Sequence, residues 1–205
     1  MKKIINKWCV LLTTAIGASD IEYRKELYLM QLKKWVTRTN YFIFIVESTG
    51  HGDFFKPMKD KYPDRIDIIS ITLFPSTNSS ILEAHSINHA INYIRQTNID
   101  ITHILKVTGR YFLDNIQNSL ENAIPNLDFY IQIHTNHTIK WQNTEYYGIR
   151  KNLMIPMVNT VIQNSNFMEY NFYEFIHQPY FKSTTLGPFH NQIRRGGDNM
   201  LIENL

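Results

Sequence analysis

The sequence is poor in the residues that support redox, covalent and zinc chemistry. Its 205 residues include one cysteine, Cys9, so no disulfide forms within the chain. A chain without disulfides suits a reducing compartment. Cys9 lies inside an apolar run, which favours a packing role over a nucleophilic one. His85 and His89 have the i, i+4 spacing of zinc ligands, but they lack an evident third ligand.

Long hydrophobic runs are also missing. The longest, residues 41–46, is far shorter than the roughly 20 residues that a membrane-spanning helix needs. The Met-Lys-Lys start is followed by Asn6, Lys7 and later Asp20, without the small-residue cleavage site of a signal peptide. We therefore expect no membrane span and a protein that stays in the cytoplasm.

Neither sign of charge dominates the composition. The formal net charge is +3, and the Lys and Arg residues are scattered, which argues against nucleic acid as a partner. The 43% of hydrophobic and 19% of charged residues are typical of a globular protein. No linker or repeat divides residues 1–205, so we expect a single domain. The HExxH, Walker A, GxGxxG and Asp-x-Asp motifs are absent, which removes the common signatures of metal and nucleotide enzymes.

The features that are present begin with a βαβ pattern. Residues 7–14 form a near-continuous apolar run that ends in two threonines, as expected of a strand covered on both faces. An amphipathic helix over residues 21–36 follows, with Ser19 or Asp20 as its N-cap. Residues 41–46 predict a second buried strand. The two strands should be parallel, so the polar residues that follow each of them should meet at one edge of a sheet.

A third strand and a second helix come next. Residues 65–72 largely alternate isoleucine with polar residues and predict a strand. Residues 80–94 predict a helix capped by Ser79 or Ser80, with Glu83 placed to complete a capping box. Glu83 is equally suited to a functional site. The same helix carries a polar stripe, typical of a solvated face, at His85, Asn88, His89 and Asn92.

The segment 101–115, ITHILKVTGRYFLDN, is the most informative part of the chain. It begins as a buried strand and then turns polar at Lys106, Thr108, Gly109 and Arg110. In open α/β sheets, ligands bind beyond the carboxyl ends of the strands. The glycine allows close approach of the backbone, and the two cations suit phosphate oxygens. The alternative is a strand that runs into a solvated turn with two surface cations.

The rest of the chain continues the mixture of helices and strands. Residues 117–122 predict a short helix, 127–134 a strand, 141–149 a strand or hairpin arm, 150–164 a helix broken at Pro156, and 167–177 an aromatic helix. The glycine-containing tail, residues 181–205, predicts a mobile loop that ends in a short segment. Together these elements predict one α/β domain, with a central, mostly parallel sheet of about six strands flanked by helices.

Several of these segments resemble the small GT-A-type glycosyltransferases, such as a chlorella-virus-encoded glycosyltransferase domain and its bacterial surface-polysaccharide relatives. The resemblance rests on the strand that ends in TT, on YFIFIVESTG, on the Ser-led helix with Glu83 and on ILKVTGRYF, and it covers about residues 7–115. It implies a single GT-A-like (Rossmann-like) domain. The implied activity is that of a hexosyltransferase using a nucleotide-diphosphate sugar, with UDP as the favoured nucleotide and a glycan or protein–glycan as acceptor. Residues 1–115 would be the nucleotide-binding half, and residues 116–205 would be the acceptor half with a C-terminal lid. A viral protein of this kind would act in the host cytoplasm.

The same resemblance implies a donor held at the carboxyl ends of the first, second and fourth strands. The base would contact Thr13, Thr14 and Ala15, and the base or ribose would contact Glu47 and Ser48. The diphosphate would be held by the cluster that runs from Lys106 to Arg110. Three further substrate-binding candidates lie on flanking segments: Glu83, Asn88 and Tyr111.

One departure from the family concerns the metal ion. In many GT-A enzymes the strand that corresponds to ILKVTGR ends in acidic residues, which hold a divalent ion on the donor diphosphate. Here Thr108, Gly109 and Arg110 occupy that place, and a guanidinium can neutralise a leaving diphosphate electrostatically. Asp114 or Asp198 could still recruit Mn²⁺ or Mg²⁺ as a cofactor. The metal is therefore left open, as is a second class of function, a non-catalytic nucleotide-binding domain or a nucleotidyltransferase.

An inverting transfer also needs a base that accepts the proton of the acceptor hydroxyl. The candidates are Glu145, Glu174, His190 and Asp198. Asp198 ranks first because it follows two glycines in the presumed lid, residues 184–199, although an ion pair with the neighbouring arginines explains it equally well. Glu174 ranks second, because burial among the aromatic residues of its helix would raise the pKa of its carboxyl.

Overall fold

The computed structural model describes residues 6–18, 20–73, 78–132 and 135–187, together with the backbone of residues 193–194 and 201–202. The strands are β1 (Trp8–Thr14), β2 (Phe42–Glu47), β3 (Ile66–Ser70), β4 (His103–Thr108), β5 (Phe129–Ile131), β6 (Thr135–Asn136), β7 (Trp141–Gln142), β8 (Tyr146–Arg150), β9 (Ser183–Thr185), β10 (Ile193–Arg194) and β11 (Leu201–Ile202). The helices are α1 (Ile21–Arg38), α2 (Lys56–Lys61), α3 (Ser79–Gln96), α4 (Ile116–Glu121), α5 (Met154–Asn164) and α6 (Met168–Ile176). None of the helices in these ranges is both long and apolar enough to cross a membrane.

Seven strands form one mixed sheet in the order β3-β2-β1-β4-β8-β5-β9. The first four strands of the chain are mutually parallel, whereas β8 is antiparallel to both β4 and β5. The predicted α/β domain with a mostly parallel sheet is therefore confirmed, with seven strands in place of about six. The additional strand, β9, pairs with β5 and lies in the segment that the sequence predicts to be a mobile loop.

Helices cover both faces of the sheet. On one face, Leu32 and Trp35 of α1 pack in a cluster with Leu12 of β1. On the other face, α3, α5 and α6 pack in a second cluster around Cys9 and Leu11. Successive residues of β1 point to opposite faces, so a strand buried on both sides must be apolar throughout. Cys9 is fully buried and the pKa of its thiol is raised by that burial, which agrees with a packing role.

Each of the two long helices begins at an N-cap whose side-chain oxygen accepts a hydrogen bond from the backbone. Asp20 is the N-cap of α1, and its side chain accepts a hydrogen bond from the backbone three residues further on. The cap of α3 is Asn78, whose Oδ1 accepts from Ser80 N at 2.9 Å. The predicted cap at Ser79 or Ser80 is therefore wrong. Because α3 begins earlier than predicted, Glu83 takes no part in a capping box and is available for contacts outside its helix.

The second half of the chain departs most from the prediction. The segment 141–149 contains two strands, because β7 pairs with β6 in a hairpin while β8 joins the main sheet. Pro156 does not break its helix. The helix α5 starts at Met154, so the proline lies in the first turn, where its missing N–H costs no helical hydrogen bond. The strand predicted at 127–134 is shorter in the structure, Phe129–Ile131.

Candidate active site

The ends of β1, β2 and β4 meet at one edge of the sheet, named the carboxyl edge below and formed by residues 13–15, 47–48, 108–110 and 145. The strand β8 runs in the opposite direction, so its amino end reaches the same edge. Three backbone hydrogen bonds tie these ends together, from Gly109 N to Thr13 O (2.8 Å), from Ser48 N to Thr14 O (3.1 Å) and from Thr108 N to Glu145 O (2.7 Å). Residues that are far apart in the sequence thus form one continuous surface.

Gly109 lies in close contact with the end of β1 at this edge. A Cβ at this position would lie 2.5 Å from Cγ2 of Thr14 and 3.1 Å from the carbonyl oxygen of Thr13. The Thr14 side chain is held by its own hydrogen bond, since its Oγ1 donates to Val46 O at 3.1 Å. Close backbone approach therefore requires glycine here, as the sequence predicts.

Glu47 is fully buried and serves the loops around it. Its carboxylate accepts four hydrogen bonds, from the backbone N–H groups of Ile16, Thr49 and His51 and from the hydroxyl of Thr49. These donors come from the segments that follow β1 and β2. In this structure Glu47 shapes the loops, and a direct contact of its carboxylate with a ligand would require these bonds to be replaced.

Lys106 is also turned into the protein. Its side chain has an exposed fraction of 0%. The Nζ donates to Thr144 O at 2.7 Å, contacts Glu83 Oε1 at 2.6 Å and donates to Thr108 Oγ1 at 3.3 Å. These partners account for the three protons of the ammonium group. The expected direct contact of Lys106 with a diphosphate is therefore not available in this structure, because a buried ion pair occupies the cation.

Glu83 connects the helix α3 to two strands of the carboxyl edge. The same Oε1 atom that contacts Lys106 accepts a hydrogen bond from Thr13 Oγ1 at 3.0 Å. The side chain of Glu83 is 27% exposed, so it is only partly buried. Of the two roles that the sequence leaves open for Glu83, the structure excludes the capping box and places its carboxylate at the edge.

Arg110 is a cation at this edge whose Nε–H donor is unused among the described residues. Its guanidinium lies 5.1 Å from the centre of the Tyr111 ring. The Nε is buried, and it makes no hydrogen bond within the part of the chain that the structure describes. Tyr111 itself is fully buried, and its carbonyl accepts a hydrogen bond from the indole of Trp35 at 2.8 Å. Tyr111 therefore supports Arg110 through packing.

Two further carboxylates, those of Glu145 and Glu169, lie near the ion pair of Lys106 and Glu83. Glu145, the residue before β8, accepts a hydrogen bond from the amide of Gln132 at 3.2 Å when that amide is oriented to satisfy both of its groups. Glu169, in the first turn of α6, accepts from Thr144 Oγ1 at 3.3 Å. Sequence reasoning missed Glu169, since an acidic residue in a first helical turn is explained by the helix dipole alone.

The pKa of the Glu169 carboxyl is raised. Burial is the main cause, and the negative charges of Glu83 and Glu145 add to it, while Lys106 acts in the opposite direction. The buried carboxyl on α6 is therefore that of Glu169. The prediction that Glu174 is buried is wrong. Glu174 is 58% exposed.

The remaining candidates are not all gathered at the carboxyl edge. Asn88 lies five residues after Glu83 on a different face of α3, and its Oδ1 accepts from Asn92 Nδ2 at 3.4 Å. Asn88 thus belongs to the polar stripe of its helix. His190 and Asp198 lie outside the described residues, as does most of the presumed lid.

The described carboxylates do not form a complete site for Mn²⁺ or Mg²⁺. Within residues 6–18, 20–73, 78–132 and 135–187, no three His, Cys, Asp or Glu side chains converge to hold a metal ion. Glu83 is already paired with a cation. Asp114, one of the two residues expected to recruit a metal, has its Oδ1 3.4 Å from Arg38 Nη1 and is paired there.

We expect the Glu169→Gln variant to gain stability over the wild type as the pH rises. Protonation of a carboxyl with a raised pKa favours the folded state. That contribution is present below the unfolded pKa of about 4.3 and is lost as the pH rises through the folded pKa. Glutamine is neutral throughout, so the difference in the free energy of unfolding should change in its favour between about pH 4 and pH 8.

Urea denaturation of both proteins across this pH range measures the difference. The Glu174→Gln variant is the matched control, because it makes the same substitution on the same helix at an exposed position. Curves for Glu169→Gln that run parallel to the wild type would contradict the raised pKa.

No protein-family model matches the sequence, and no curated protein matches it significantly. Solved structures do match. A putative nucleotide-diphospho-sugar transferase from Desulfovibrio desulfuricans G20 aligns with a TM-score of 0.56 at 13% identity, over 89% of this chain and 80% of that chain. A mannosyltransferase from Pyrobaculum calidifontis, in complex with GDP-Man and Mn²⁺, aligns with a TM-score of 0.55 at 11% identity, over 86% and 54%. A glycosyltransferase involved in the glycosylation of the major capsid of PBCV-1 aligns with a TM-score of 0.51 at 10% identity, over 86% and 80%.

At these identities the likeness concerns the fold. The chain has the mixed α/β fold of nucleotide-sugar transferases, and this confirms the GT-A-type architecture that the sequence resemblance implies. The chain spans about half of the length of the mannosyltransferase. One of the matching structures contains Mn²⁺, so a divalent ion is compatible with this fold.

Proposed function

We propose that this protein is a glycosyltransferase. It would move a sugar, a hexose in the simplest case, from a nucleotide-diphosphate sugar to a glycan or protein–glycan acceptor, with UDP as the favoured nucleotide. The observation that carries the proposal is the convergence of three strand ends on Arg110, whose buried Nε has no partner among the described residues. A buried N–H without a partner is costly, and an anionic ligand would supply that partner. The fold shared with nucleotide-sugar transferases supports the same conclusion.

The residues of the carboxyl edge receive different roles in this proposal. Thr13, Thr14 and Ala15, with Ser48, would line the nucleoside, while Thr108, Gly109 and Arg110 would hold the diphosphate. Glu47, Glu83 and Lys106 would act one layer behind, because their side chains are bonded within the protein. Tyr111 would do the same, because it is fully buried. Residues 1–115 would thus form the donor half and residues 116–205 the acceptor half.

The chemistry follows from this arrangement. In an inverting transfer the acceptor oxygen bonds to the anomeric carbon while the bond from that carbon to the diphosphate breaks, and a base accepts the hydroxyl proton. Arg110 would stabilise the negative charge that develops on the leaving diphosphate. Asp198 remains our candidate base. Glu145 is the second candidate, because it lies at the carboxyl edge beside Thr108. Glu174 is exposed and lines a surface groove, which suits acceptor binding better.

A thermal-shift measurement with nucleotides tests the proposal. UDP, GDP, CDP and dTDP are compared with their nucleosides, with and without Mn²⁺; a ligand at about a hundred times its dissociation constant stabilises a protein by ~2.7 kcal/mol. We expect UDP to raise the melting temperature. The Arg110→Ala variant should bind UDP about tenfold more weakly, because it loses one charge-assisted hydrogen bond of about 1.5 kcal/mol, while its affinity for uridine stays unchanged.

The Arg38→Ala variant is the matched control, because Arg38 is an exposed arginine that is paired with Asp114. It should bind UDP as the wild type does. If no nucleoside diphosphate shifts the melting temperature, the site is not a nucleotide site. If nucleotides bind but no nucleotide-sugar is hydrolysed or used for transfer, the protein is a non-catalytic nucleotide-binding domain.

A further inference from the structure

A second concave surface lies away from the carboxyl edge. It is a groove of about 530 Å³ between the end of α5, the exposed face of α6 and the turn of the β6–β7 hairpin. Its polar and aromatic lining comes from Lys140, Asn164, Asn166, Tyr170, Asn171 and Glu174. This volume lies within the range that small-molecule sites occupy in proteins, so it can hold a ligand larger than a few waters.

One side of the groove is lined by Tyr170, and two further aromatic rings pack around it. The Tyr170 ring packs edge-on against Trp141, with ring centres 5.0 Å apart, and it lies 6.1 Å from Phe167. Phe167 is 54% exposed, an unusual exposure for a phenylalanine. The indole N–H of Trp141 donates to Asn143 Oδ1 at 2.9 Å, so the ring is fixed in position. Fixed aromatic faces at a surface suit a ligand that carries an apolar face of C–H groups.

The floor of the groove is built from amides. Asn164 Nδ2 donates to Asn171 Oδ1 at 2.7 Å, and Asn171 Nδ2 donates to Phe167 O at 2.9 Å. The Oδ1 of Asn166 accepts from Phe167 N at 2.8 Å, which orients its amide nitrogen away from the helix. An amide carries both donors and acceptors, so such a floor can bind hydroxyl groups, which need both.

The charge of the groove is balanced. Its two ionised residues, Lys140 and Glu174, have opposite signs and lie 3.8 Å apart. Both side chains are mostly exposed, at 66% and 58%. A lining of this kind gives no net attraction to phosphate, nucleic acid or an acidic peptide, and it therefore favours a neutral ligand rich in hydroxyl groups.

A short series of contacts connects the groove to the carboxyl edge. Tyr170 follows Glu169, whose carboxyl accepts a hydrogen bond from Thr144. The carbonyl of that same Thr144 accepts from Lys106 at the edge. The hairpin wall is held against α6 by a hydrogen bond between His137 Nδ1 and Tyr173 Oη of 2.8 Å. A chain of sugars that lies in the groove would thus end close to the site of transfer.

We propose that this groove binds a neutral oligosaccharide. The proposal deepens and rests on the proposed function, because the oligosaccharide would be the acceptor of the transferred sugar. Sugar rings would stack on Tyr170, which Trp141 and Phe167 support from behind, and their hydroxyl groups would hydrogen bond to Asn164 and Asn166 on the floor.

The test is binding of the fluorescently labelled full-length chain, without any donor, to a printed array of defined oligosaccharides. The wild type should bind a restricted group of neutral glycans. The Tyr170→Ala variant should bind these glycans about tenfold more weakly, as expected when one aromatic contact is lost. Phe167→Ala should also weaken binding, because it removes a ring that packs beside Tyr170. Asn166→Ala should also weaken binding. It alters only a surface amide, so it tests the groove without disturbing the aromatic packing.

The matched control is Tyr23→Ala, which removes an aromatic side chain of the same exposure, 54%, from the first turn of α1. It should bind the array as the wild type does. An array that the wild type does not bind, or equal losses for Tyr23→Ala and Phe167→Ala, would overturn the proposal. The UDP thermal shift reports separately on the proposed function. A groove that fails while UDP still binds leaves the transferase proposal intact, and a groove that binds glycans in a protein without any nucleotide site is a carbohydrate-binding surface only.

Discussion

Replacing Lys106 by methionine is expected to lower the free energy of unfolding by about 3 kcal/mol, because the change breaks a buried ion pair from one side. The Lys106 side chain is fully buried, and its loss leaves Glu83 without its cation and Thr144 O without its donor. Methionine fills a similar volume, so the expected loss comes from electrostatics and hydrogen bonding, with little contribution from packing. Urea denaturation at neutral pH measures the effect.

A second substitution separates the ion pair from the rest of the site. In the Lys106→Met background, Glu83→Gln removes the unpaired charge, so the double variant should lose less stability than the sum of the two single variants.

Lys140→Met is the matched control, because it breaks an exposed pair with Glu174, and it should cost less than about 1 kcal/mol. Equal stability of the two methionine variants would show that the buried pair does not support the fold. If the Lys106→Met protein folds normally but no longer binds UDP, Lys106 contacts the diphosphate directly.

The Gly109→Ala variant is expected to lose about 2 kcal/mol of stability and to lose its response to UDP. The new Cβ would lie 2.5 Å from Thr14 Cγ2 and 3.1 Å from Thr13 O, so the ends of β1 and β4 must move apart. This movement would displace Arg110, the next residue along the chain, from the place where the diphosphate is proposed to bind. Thermal unfolding with and without UDP measures both effects in one experiment.

The contact with Thr14 Cγ2 predicts a second substitution that should relieve the clash. Thr14→Ser removes the Cγ2 atom that the alanine would meet first and keeps the hydroxyl that donates to Val46 O. Thr14→Ser in the Gly109→Ala background should therefore recover part of the lost stability, while Thr14→Ser alone should change little. If Gly109→Ala is as stable as the wild type and still binds UDP, the close approach of the two strands is not required.

Local sequence patterns were sufficient for the elements that carry the carboxyl edge. The apolar runs that become β1, β2 and β4 are buried on both faces of the sheet, and such strands need no partner to be recognised. The spacing of apolar residues in α1 has the helical period, and the acidic cap Asp20 marks its start. The predicted boundaries of these elements therefore differ from the structure by one or two residues.

The second half of the chain is less predictable for a physical reason. The strands β6 and β7 have two residues each, which is too short for a period of two to be visible. Such strands exist only because a partner strand is placed beside them. Pro156 misled the prediction for a related reason, because its effect depends on where the helix begins.

By itself, the sequence determined that the polar ends of β1, β2 and β4 share one edge, since buried parallel strands joined by right-handed crossovers can align in no other way. It also predicted a turn or a close approach of the backbone at Gly109, and the structure shows the close approach. Only the tertiary structure decided which charged side chains at this edge face inward. Lys106 is turned into the protein because α3 brings Glu83 to it, and the pKa of Glu169 is raised because α6 packs its carboxyl beside two others. These partners come from elements that are distant in the chain, and the pattern of neighbouring residues does not encode which of them will meet.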